Sequence, residues 1–539
     1  MGIYDYIIVG GGISGLFMAY KLADTGKDIL LVESTGRLGG RLLTKQEHGV
    51  QFEVGAARIS STHSKVMSLL KECELDKELV PLPDKVTYKI KGPTINFYSL
   101  VKDLNEGSKL YTKKYLQSIN LLQLCIDVLG QPYAELFQNM LGYDSEFETF
   151  NAHSALKIFS KDLFSANDYF VLKRGFSSLV QRLQEKLEQQ DNVTIMVDTL
   201  VTDIGKNFIH LHKQKLYGGY ILCCVPYYTL NQYPKFKDIQ EIHSVTAVPL
   251  LRIYAKYPKD KSGKVWFHNL HRTITDSYIR HIIPIDYEKG LIMISYTDGK
   301  CADMWNNLST LGNNVLIDHL HTEVKKILGK EPPQPEFITY HYWPAGVHMW
   351  KPGQNVKEVY HKILKPFADE KIYIVNEAYS LHQCWVEGSL DACYDVLDMI
   401  GTTFVRGKPK KGVTSRSHKD GSNKVSKGKG SKGKGSKVNT VKVFSLQQVL
   451  KKRNWIVLDI RGKLRIYDVG EWLHDHPGGE TNLRKGIKAN RHYLNKKKHP
   501  LSPIQLFKQV DRHSSGNVIQ TMLMKDNDKV VFIGVMKNV

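Results

Sequence analysis

The segment YDYIIVGGGISGLFMAYKLADTGKDILLVE, residues 4–33, constrains the fold of this chain more than any other. An apolar strand pattern runs into Gly10, Gly12 and Gly15, a helical pattern follows, and Glu33 closes the next strand pattern. Gly10 permits a tight turn, Gly12 lets the backbone approach a pyrophosphate, and Gly15 allows a helix to pack closely on a strand. A purely structural glycine turn is the alternative. The strand, the helix and the terminal acid together predict a Rossmann-type domain that binds a dinucleotide, with Glu33 accepting hydrogen bonds from the ribose hydroxyls.

Apolar strand patterns alternate with helical patterns along residues 1–405. The strand patterns include DILLVES, NVTIMVD, GLIMISYTDG and KIYIVNEA, and LVQRLQEKLEQQ is one of the helical patterns. This alternation predicts an α/β fold with a mostly parallel sheet. A helical stretch at 102–141 and polar strands at 250–257 interrupt it, which predicts an inserted α+β substrate domain within residues 1–405.

Cysteine usage and hydropathy predict where the protein is found. The seven cysteines all precede residue 400, are odd in number and form no CxxC, so neither disulfides nor a zinc site is indicated. No apolar run reaches the roughly 18 residues that span a bilayer, and the first apolar run lacks a basic leader. We therefore expect an intracellular, cytoplasmic protein with no transmembrane segment.

Positive charge is concentrated in the last quarter of the chain. Residues 1–405 carry 44 basic and 45 acidic side chains, residues 406–442 carry 13 and 1, and residues 443–539 carry 18 and 8. Residues 406–442 repeat Gly, Ser and Lys with scarcely an apolar side chain, which predicts a flexible basic linker between two domains. Binding of this run to nucleic acid or to an anionic surface is the alternative.

Two further segments resemble the flavin-dependent amine oxidase family, which includes L-amino-acid oxidases and monoamine oxidases. They are STGRLGGRLLT, residues 34–44, and IYIVNEAYSLHQCWVEGSLDAC, residues 372–393. The resemblance covers roughly residues 4–400 and implies FAD as the cofactor. Asn376 departs from the family pattern, which usually has glycine there, and we expect it to weaken the local backbone geometry. No cysteine occurs in HYWPAGVHMW, where monoamine oxidases carry a covalent flavin link, so we expect non-covalent FAD.

The resemblance and the glycine motif together imply a set of cofactor-binding residues. They are Gly10, Gly12, Ile13, Ser14, Gly15, Glu33, Ser34, Arg37, Gly39, Gly40, Arg41, Gly55, Ala56, Arg58, Val201, Glu377, Trp385 and Val386. Of these, Val201 is expected beside the adenine and Glu377 beside the ribityl chain.

Four residues are implied as catalytic. Arg58 matches the arginine that pairs with the substrate carboxylate in L-amino-acid oxidases, Tyr296 the hydroxyl that joins it, and Trp385 an aromatic wall. The alternatives are that Arg58 contacts FAD, that Tyr296 is an ordinary sheet residue and that Trp385 is core packing. Arg252 stands where many members have a lysine near the reactive flavin nitrogen, which puts rapid oxidation by dioxygen in doubt. These residues imply a small amine or amino-acid substrate.

Residues 443–539 resemble cytochrome b5, a small α+β haem-binding domain. In HDHPGGE, residues 474–480, the Pro-Gly-Gly turn brings few side chains near a porphyrin edge, so His476 can reach a haem iron. The resemblance implies haem b with His513 as the second ligand. His492 and His499 are rivals for that second position.

These features predict a flavin-dependent oxidoreductase that passes electrons from its substrate to a haem and then to an external acceptor. The excess of basic residues in the tail predicts an acidic redox partner. One alternative is the reverse flow, in which haem feeds a flavin reductase, desaturase or isomerase acting on an unsaturated substrate. Another is a non-catalytic flavin scaffold with a basic binding tail.

Overall fold

The computed structural model of the protein describes residues 3–83, 85–162, 168–212, 214–401, 443–444, 455–460, 463–468 and 531–536. The chain divides into two compact units, residues 1–411 and 412–539.

The strands of the first unit are β1 (Ile3–Val9), β2 (Ile29–Val32), β3 (Thr44–Glu47), β4 (Val50–Glu53), β5 (Ile59–Ser60), β6 (Leu79–Pro81), β7 (Val86–Lys89), β8 (Tyr169–Leu172), β9 (Val193–Met196), β10 (Val201–Ile204), β11 (Phe208–Leu211), β12 (Lys215–Cys223), β13 (Val245–Lys256), β14 (Arg272–Thr275), β15 (His281–Asp286), β16 (Leu291–Asp298), β17 (Phe337–Trp350) and β18 (Ile372–Ile374). Its α-helices are α1 (Ile13–Ala23), α2 (Ser64–Glu72), α3 (Phe97–Ser108), α4 (Lys113–Ser118), α5 (Leu121–Leu129), α6 (Gln131–Leu141), α7 (Asp144–Glu148), α8 (Ala152–Asp162), α9 (Ser177–Glu188), α10 (Tyr227–Leu230), α11 (Gly299–Ser309), α12 (Asn313–Leu328), α13 (Val356–Leu364) and α14 (Val386–Met399).

A seven-stranded sheet forms the centre of the first unit. Its order is β10-β11-β12-β1-β2-β9, and β18 also pairs with β12. The pairings of β1 with β2, β1 with β12, β2 with β9 and β12 with β18 are parallel, whereas β10, β11 and β12 are joined by antiparallel pairings. The predicted α/β fold with a mostly parallel sheet is therefore confirmed.

Both faces of this central sheet are buried, as a parallel sheet with crossover helices requires. Side chains alternate along β1, so Ile7 and Val9 belong to one core cluster and Tyr6 and Ile8 to another. Helix α1 packs between α9 and α14 on the second face. The resulting core fixes the turn from β1 into α1, where the glycine motif lies.

A second sheet of six strands forms the substrate-side part of this unit. Its order is β17-β13-β16-β15-β14-β7, and all its pairings are antiparallel except that of β14 with β7. Helices α11 and α12 cover one face, where Leu251, Trp305 and Leu320 share a core cluster. Two smaller sheets, β3-β4 and β5-β8-β6, complete the strands of this unit.

The predicted helical insertion forms helices α3 to α8. The turn between α6 and α7 is fixed by contacts with the six-stranded sheet. Helix α6 ends at Gly142, whose left-handed backbone (φ +82°) is a common helix terminator. Helix α7 then starts against Asp298, which ends β16. The Asp298 carboxylate accepts hydrogen bonds from the backbone N–H groups of Asp144 (3.0 Å) and Ser145 (2.8 Å). The helical part is thereby attached to the six-stranded sheet.

The second unit contains four described strands, β19 (Val443–Phe444), β20 (Trp455–Ile460), β21 (Lys463–Asp468) and β22 (Val531–Met536). They form one sheet in the order β19-β22-β21-β20. The predicted linker at 406–442 and the predicted haem ligands His476 and His513 lie outside the described residues. Among the described helices, none is both long and apolar enough to cross a membrane.

Candidate active site

The turn from β1 into α1 forms one end of the site. Gly10 has a φ of +106°, and a Cβ on Gly15 would lie 1.9 Å from the carbonyl oxygen of Gly10. Only glycine at position 15 therefore lets the helix start this close to the strand. Gly12 precedes α1 without a side-chain cap, and a Cβ there would meet nothing within 4 Å. Open space at an uncapped helix N-terminus suits a pyrophosphate, so these residues fit the FAD that the sequence implies.

Hydrogen bonds connect the glycine turn to the acid after β2 and to the loop that follows it. The Glu33 carboxylate accepts hydrogen bonds from the backbone N–H groups of Gly11 (2.8 Å) and Thr35 (2.9 Å). The N–H of Gly39 donates to the carbonyl of Gly11 at 2.8 Å. Arg37 donates to the carbonyl of Gly40 at 2.7 Å. The acid after β2 and the GGR segment are thus fixed around the glycine turn.

A buried ionic group lies further along the cavity wall. Arg41 Nη1 is 2.9 Å from Glu377 Oε2, and His348 Nδ1 is 3.0 Å from the same oxygen. Burial acts to raise the pKa of Glu377, but the Arg41 charge and the His348 hydrogen bond lower it to about 2. Glu377 is therefore ionised at neutral pH, and His348 is a partner that the sequence did not indicate.

Asn376 does not weaken the backbone before Glu377, contrary to the expectation from the sequence. Its φ of −153° and ψ of 168° describe extended backbone, which any residue adopts without strain. The Asn376 side chain donates to the carbonyl of Val225 at 2.8 Å, and its oxygen accepts from the N–H of Tyr379. The asparagine therefore links this turn to the segment that follows β12.

One cavity of about 440 Å³ brings the predicted residues together, a size within the usual range for ligand sites. It is lined by Gly10, Gly12, Ile13, Ser14, Glu33, Ser34, Arg37, Gly39, Gly40, Arg41, Gly55, Ala56, Arg58, Val201, Arg252, Tyr296, Glu377, Trp385 and Val386. Among the residues predicted to bind FAD or to be catalytic, Gly15 does not line the cavity, because Gly15 lies beneath the turn.

Arg58 occupies the end of the cavity away from the glycine turn. Its Nη2 donates to the Tyr143 hydroxyl at 3.2 Å, and its guanidinium carbon lies 5.8 Å and 5.9 Å from the ring centroids of Tyr169 and Trp385. Arg58 forms no ion pair within the part of the chain that the structure describes. A guanidinium in an aromatic setting without an anion is arranged to receive one.

Arg252 and Tyr296 are neighbours because β13 and β16 pair in a register that places them opposite each other. The Arg252 guanidinium carbon lies 4.5 Å from the Tyr296 ring centroid, and Nη1 donates to the carbonyl of Glu53 at 2.8 Å. Arg252 is therefore held between Tyr296 of its own sheet and Glu53 of β4. Lys256, four residues on, is turned to an ion pair with Glu336 at 2.9 Å and does not line the cavity.

The helical insertion contributes cavity residues that the sequence did not single out. Tyr143 and Glu146 line the cavity beside Arg58, and Asp298 lines it from the end of β16. Cys384 lines it next to Trp385, and its N–H donates to Glu377 at 2.7 Å. All seven cysteines are free thiols, and the described residues contain no group of three or more metal-binding side chains.

A Rossmann-type sheet whose glycine turn opens into an arginine-lined cavity is typical of a nucleotide-dependent oxidoreductase. Two family models agree with this class. Residues 8–73 match an NAD(P)-binding Rossmann-like domain, and residues 96–394 match the flavin containing amine oxidoreductase family. Since the second match spans more than half of the chain, this protein belongs to the flavin containing amine oxidoreductases, and it is a flavin-dependent enzyme.

Similar proteins cover the first unit. A putative L-amino-acid oxidase, YobN of Bacillus subtilis (strain 168), is 22% identical over 458 residues, which are 72% of this chain and 92% of that protein. Flavin-containing amine oxidase A of Canis lupus familiaris is 35% identical over 96 residues, so the match spans only 18% of that protein. A putrescine oxidase with redesigned cofactor binding has a TM-score of 0.60 at 16% identity and covers 74% of this chain and 99% of its own. These structural likenesses show the fold.

Proposed function

We propose that this protein oxidises an L-amino acid, or a related amine that carries a carboxylate, at the cavity lined by Arg58, Tyr296 and Trp385. The observation that carries the proposal is Arg58, a cavity-lining guanidinium without an ion pair in the described part of the chain. A simple amine offers nothing to this cation, whereas a substrate carboxylate can accept two parallel hydrogen bonds from it.

The cavity residues have separate parts in this proposal. Arg58 binds the substrate carboxylate, and the Tyr143 hydroxyl keeps the guanidinium in place. Trp385 and Tyr296 line the cavity beside Arg58 and limit the positions open to the substrate. Such positioning lowers the barrier because the reacting carbon is held ready for reaction before the chemical step.

We propose that FAD is held non-covalently by the glycine turn, Glu33, the GGR segment and Glu377. When bound, FAD accepts two electrons and the hydrogen removed from the substrate carbon. The residues nearest the helix start donate backbone N–H groups to its pyrophosphate. Arg252, which is held by the Glu53 carbonyl and the Tyr296 ring, stands where many family members have a lysine near the reactive flavin nitrogen.

An anaerobic absorbance experiment tests this function. The FAD-loaded protein is mixed in turn with L-amino acids, with their D-enantiomers and with amines of the same side chain that lack the carboxylate. We expect at least one L-amino acid to bleach the flavin band while its decarboxylated amine does so at least about tenfold more slowly. Equal or faster bleaching by the simple amine would contradict the assignment of Arg58 to a carboxylate.

We also propose that the chain passes the electrons taken from its substrate to a haem b held by His476 and His513. The support is sequence alone, since both histidines lie outside the described residues: HDHPGGE for His476, and the resemblance of RHSS, residues 512–515, to cytochrome b5 for His513. Two imidazole ligands leave no open iron position, which favours electron transfer over dioxygen activation.

A further inference from the structure

Glu146 is a cavity residue with one carboxylate oxygen that has no hydrogen-bond partner among the described residues. It lines the same cavity as Arg58 and Trp385. Its Oε2 is buried and has no hydrogen-bond partner among the described residues. A buried polar atom without a partner costs roughly 1–3 kcal/mol, so such atoms call for a functional explanation.

The position of Glu146 follows from the start of helix α7. Asp298 holds the N–H groups of Asp144 and Ser145, which fixes the first turn. Tyr143 directly precedes the helix and Glu146 lies in its first turn, and both side chains line the cavity. Tyr143 contacts Arg58 directly, so the turn presents a carboxyl group close to the proposed carboxylate site.

Charged and titratable groups surround Glu146 on several elements. Burial and then the charge of Asp298 raise the pKa of Glu146 to about 8, while Arg58 acts to lower it. Its charge in turn acts to raise the pKa of Tyr143 and of Cys384. Arg58 is close enough to influence Glu146 but forms no ion pair with it, so the carboxyl is left available to a ligand.

We propose that Glu146 is the base that removes the proton from the substrate ammonium group. The inference rests on the proposed function, because it needs the substrate carboxylate on Arg58. A substrate held there by its carboxylate has its amino group one carbon away, inside the cavity that Glu146 also lines. Arg58 and Glu146 then select molecules that carry a carboxylate and an amine on the same carbon.

The proton balance is simple. An ammonium nitrogen has no lone pair, so it cannot form the C=N bond that replaces the C–H bond during oxidation. Binding of the ammonium ionises Glu146, whose proton leaves to solvent. The ammonium N–H bond then breaks, an O–H bond forms on Glu146, and the nitrogen keeps the electron pair. A base that titrates near the working pH is well suited to this transfer.

A non-oxidisable amino acid tests the contact without turnover. 2-Aminoisobutyrate has a carboxylate and an ammonium group but no hydrogen on its α-carbon, and isobutyrate lacks the amine. Calorimetry of the FAD-loaded protein at pH 7, in buffers of different ionisation enthalpy, gives the protons released on binding. We expect roughly one proton with 2-aminoisobutyrate, none with isobutyrate and none with either ligand for Glu146→Gln.

Kinetics test the base. For an L-amino acid that reduces the wild type, we expect kcat/KM to rise with pH through about 8. In Glu146→Gln this rise of kcat/KM with pH should disappear. Its kcat/KM at pH 7.5 should be about 10²- to 10⁴-fold lower than that of the wild type. Glu148→Gln is the matched control, because Glu148 is on the same helix but exposed, 3.6 Å from Lys300. It should behave as the wild type in both experiments.

The outcomes separate the two proposals. If L-amino acids bleach the flavin and 2-aminoisobutyrate binds, but Glu146→Gln releases the same number of protons and keeps the rise of kcat/KM with pH, the assignment of Glu146 is wrong and the proposed function stands. If neither 2-aminoisobutyrate nor isobutyrate binds and no amino acid bleaches the flavin, the proposed function fails and the role of Glu146 fails with it.

Discussion

Arg58 and Arg252 both line the cavity, but their guanidinium groups have different partners. Arg252 gives a hydrogen bond to the Glu53 carbonyl and lies over the Tyr296 ring. Within the described residues Arg58 gives one hydrogen bond, to the Tyr143 hydroxyl, although a guanidinium has five N–H donors. Arg58 therefore has donors to spare for a ligand, whereas Arg252 is held by the Tyr296 ring and by the end of β4.

Replacement of Arg58 by methionine tests this difference. We expect Arg58→Met to raise KM for the L-amino acid by about 10- to 150-fold, since hydrogen bonds to charged groups contribute about 1.5–3 kcal/mol. KM for the decarboxylated amine should change much less. Steady-state kinetics with both substrates measure the effect, and Arg182→Met, which removes an arginine on the surface helix α9, is the control. A similar rise for both substrates would show that Arg58 does not bind the carboxylate.

A second prediction concerns Glu53, whose Oε2 is buried without a partner in the described residues. Burial raises the pKa of Glu53 to about 7, against hydrogen bonds from Phe176 and Thr44 that lower it. The folded state therefore holds more protons than the unfolded state between about pH 4.5 and 7, so this group's contribution to stability falls as pH rises through that window. We expect Glu53→Gln to gain stability relative to the wild type between pH 5 and pH 8, by a few kcal/mol at most. Denaturant unfolding at both pH values measures it, and a constant difference would contradict it.

The residues that the sequence could and could not indicate differ in a physical way. Arg58 and Tyr296 stand in segments that resemble a family, so their positions were predicted before their surroundings were known. Glu146 becomes notable only because the fold places it in the same cavity as Arg58, and His348 only through its contact with Glu377. A carboxyl or an imidazole in a helical or strand pattern carries no local sign of such partners.

At the scale of elements, strand and helix patterns predicted the central sheet, but not the pairing that builds the site. The alternation of β1, α1 and β2 follows from local hydrophobic periodicity. The register that places Arg252 opposite Tyr296 depends on pairing between β13 and β16, which are separated by β14 and β15 along the chain. Periodicity within one strand cannot show which distant strand it pairs with.

The turn into α1 gives a prediction at this scale, because two glycines there have different neighbours. A Cβ at Gly15 would meet the Gly10 carbonyl at 1.9 Å, so we expect Gly15→Ala to lower the free energy of unfolding by about 3 kcal/mol or more. A Cβ at Gly12 would enter open space, so Gly12→Ala should change the stability of the apoprotein by less than about 1 kcal/mol but reduce FAD retention. Unfolding of the apoproteins and the ratio of flavin to protein absorbance measure both effects. Equal destabilisation by the two substitutions would contradict this account of the turn.

At the scale of the whole molecule, the two parts of the chain differ in net charge. Residues 1–405 are close to neutral, whereas residues 406–539 carry 31 basic and 9 acidic side chains. An enzyme of this family needs little surface charge to bind a small zwitterion in a buried cavity. The basic excess is therefore better explained by a partner of the tail, and electrostatic steering to an acidic redox protein would weaken steeply with ionic strength.

The haem proposed for the tail leads to the last prediction. With haem supplied during expression, the purified chain should show a strong Soret band beside its flavin absorbance, and an L-amino acid that bleaches the flavin anaerobically should then reduce the haem. His476→Ala removes the proposed iron ligand, so we expect it to lose the Soret band while the flavin is retained, because the FAD residues lie in the first unit. His499→Ala is the matched control, since it removes a histidine from the same unit outside the HDHPGGE motif, and it should keep both spectra. A Soret band that is lost in His499→Ala as well as in His476→Ala would assign the second ligand position to His499 in place of His513. A chain that never binds haem would leave the flavin unit to transfer its electrons directly to an external acceptor.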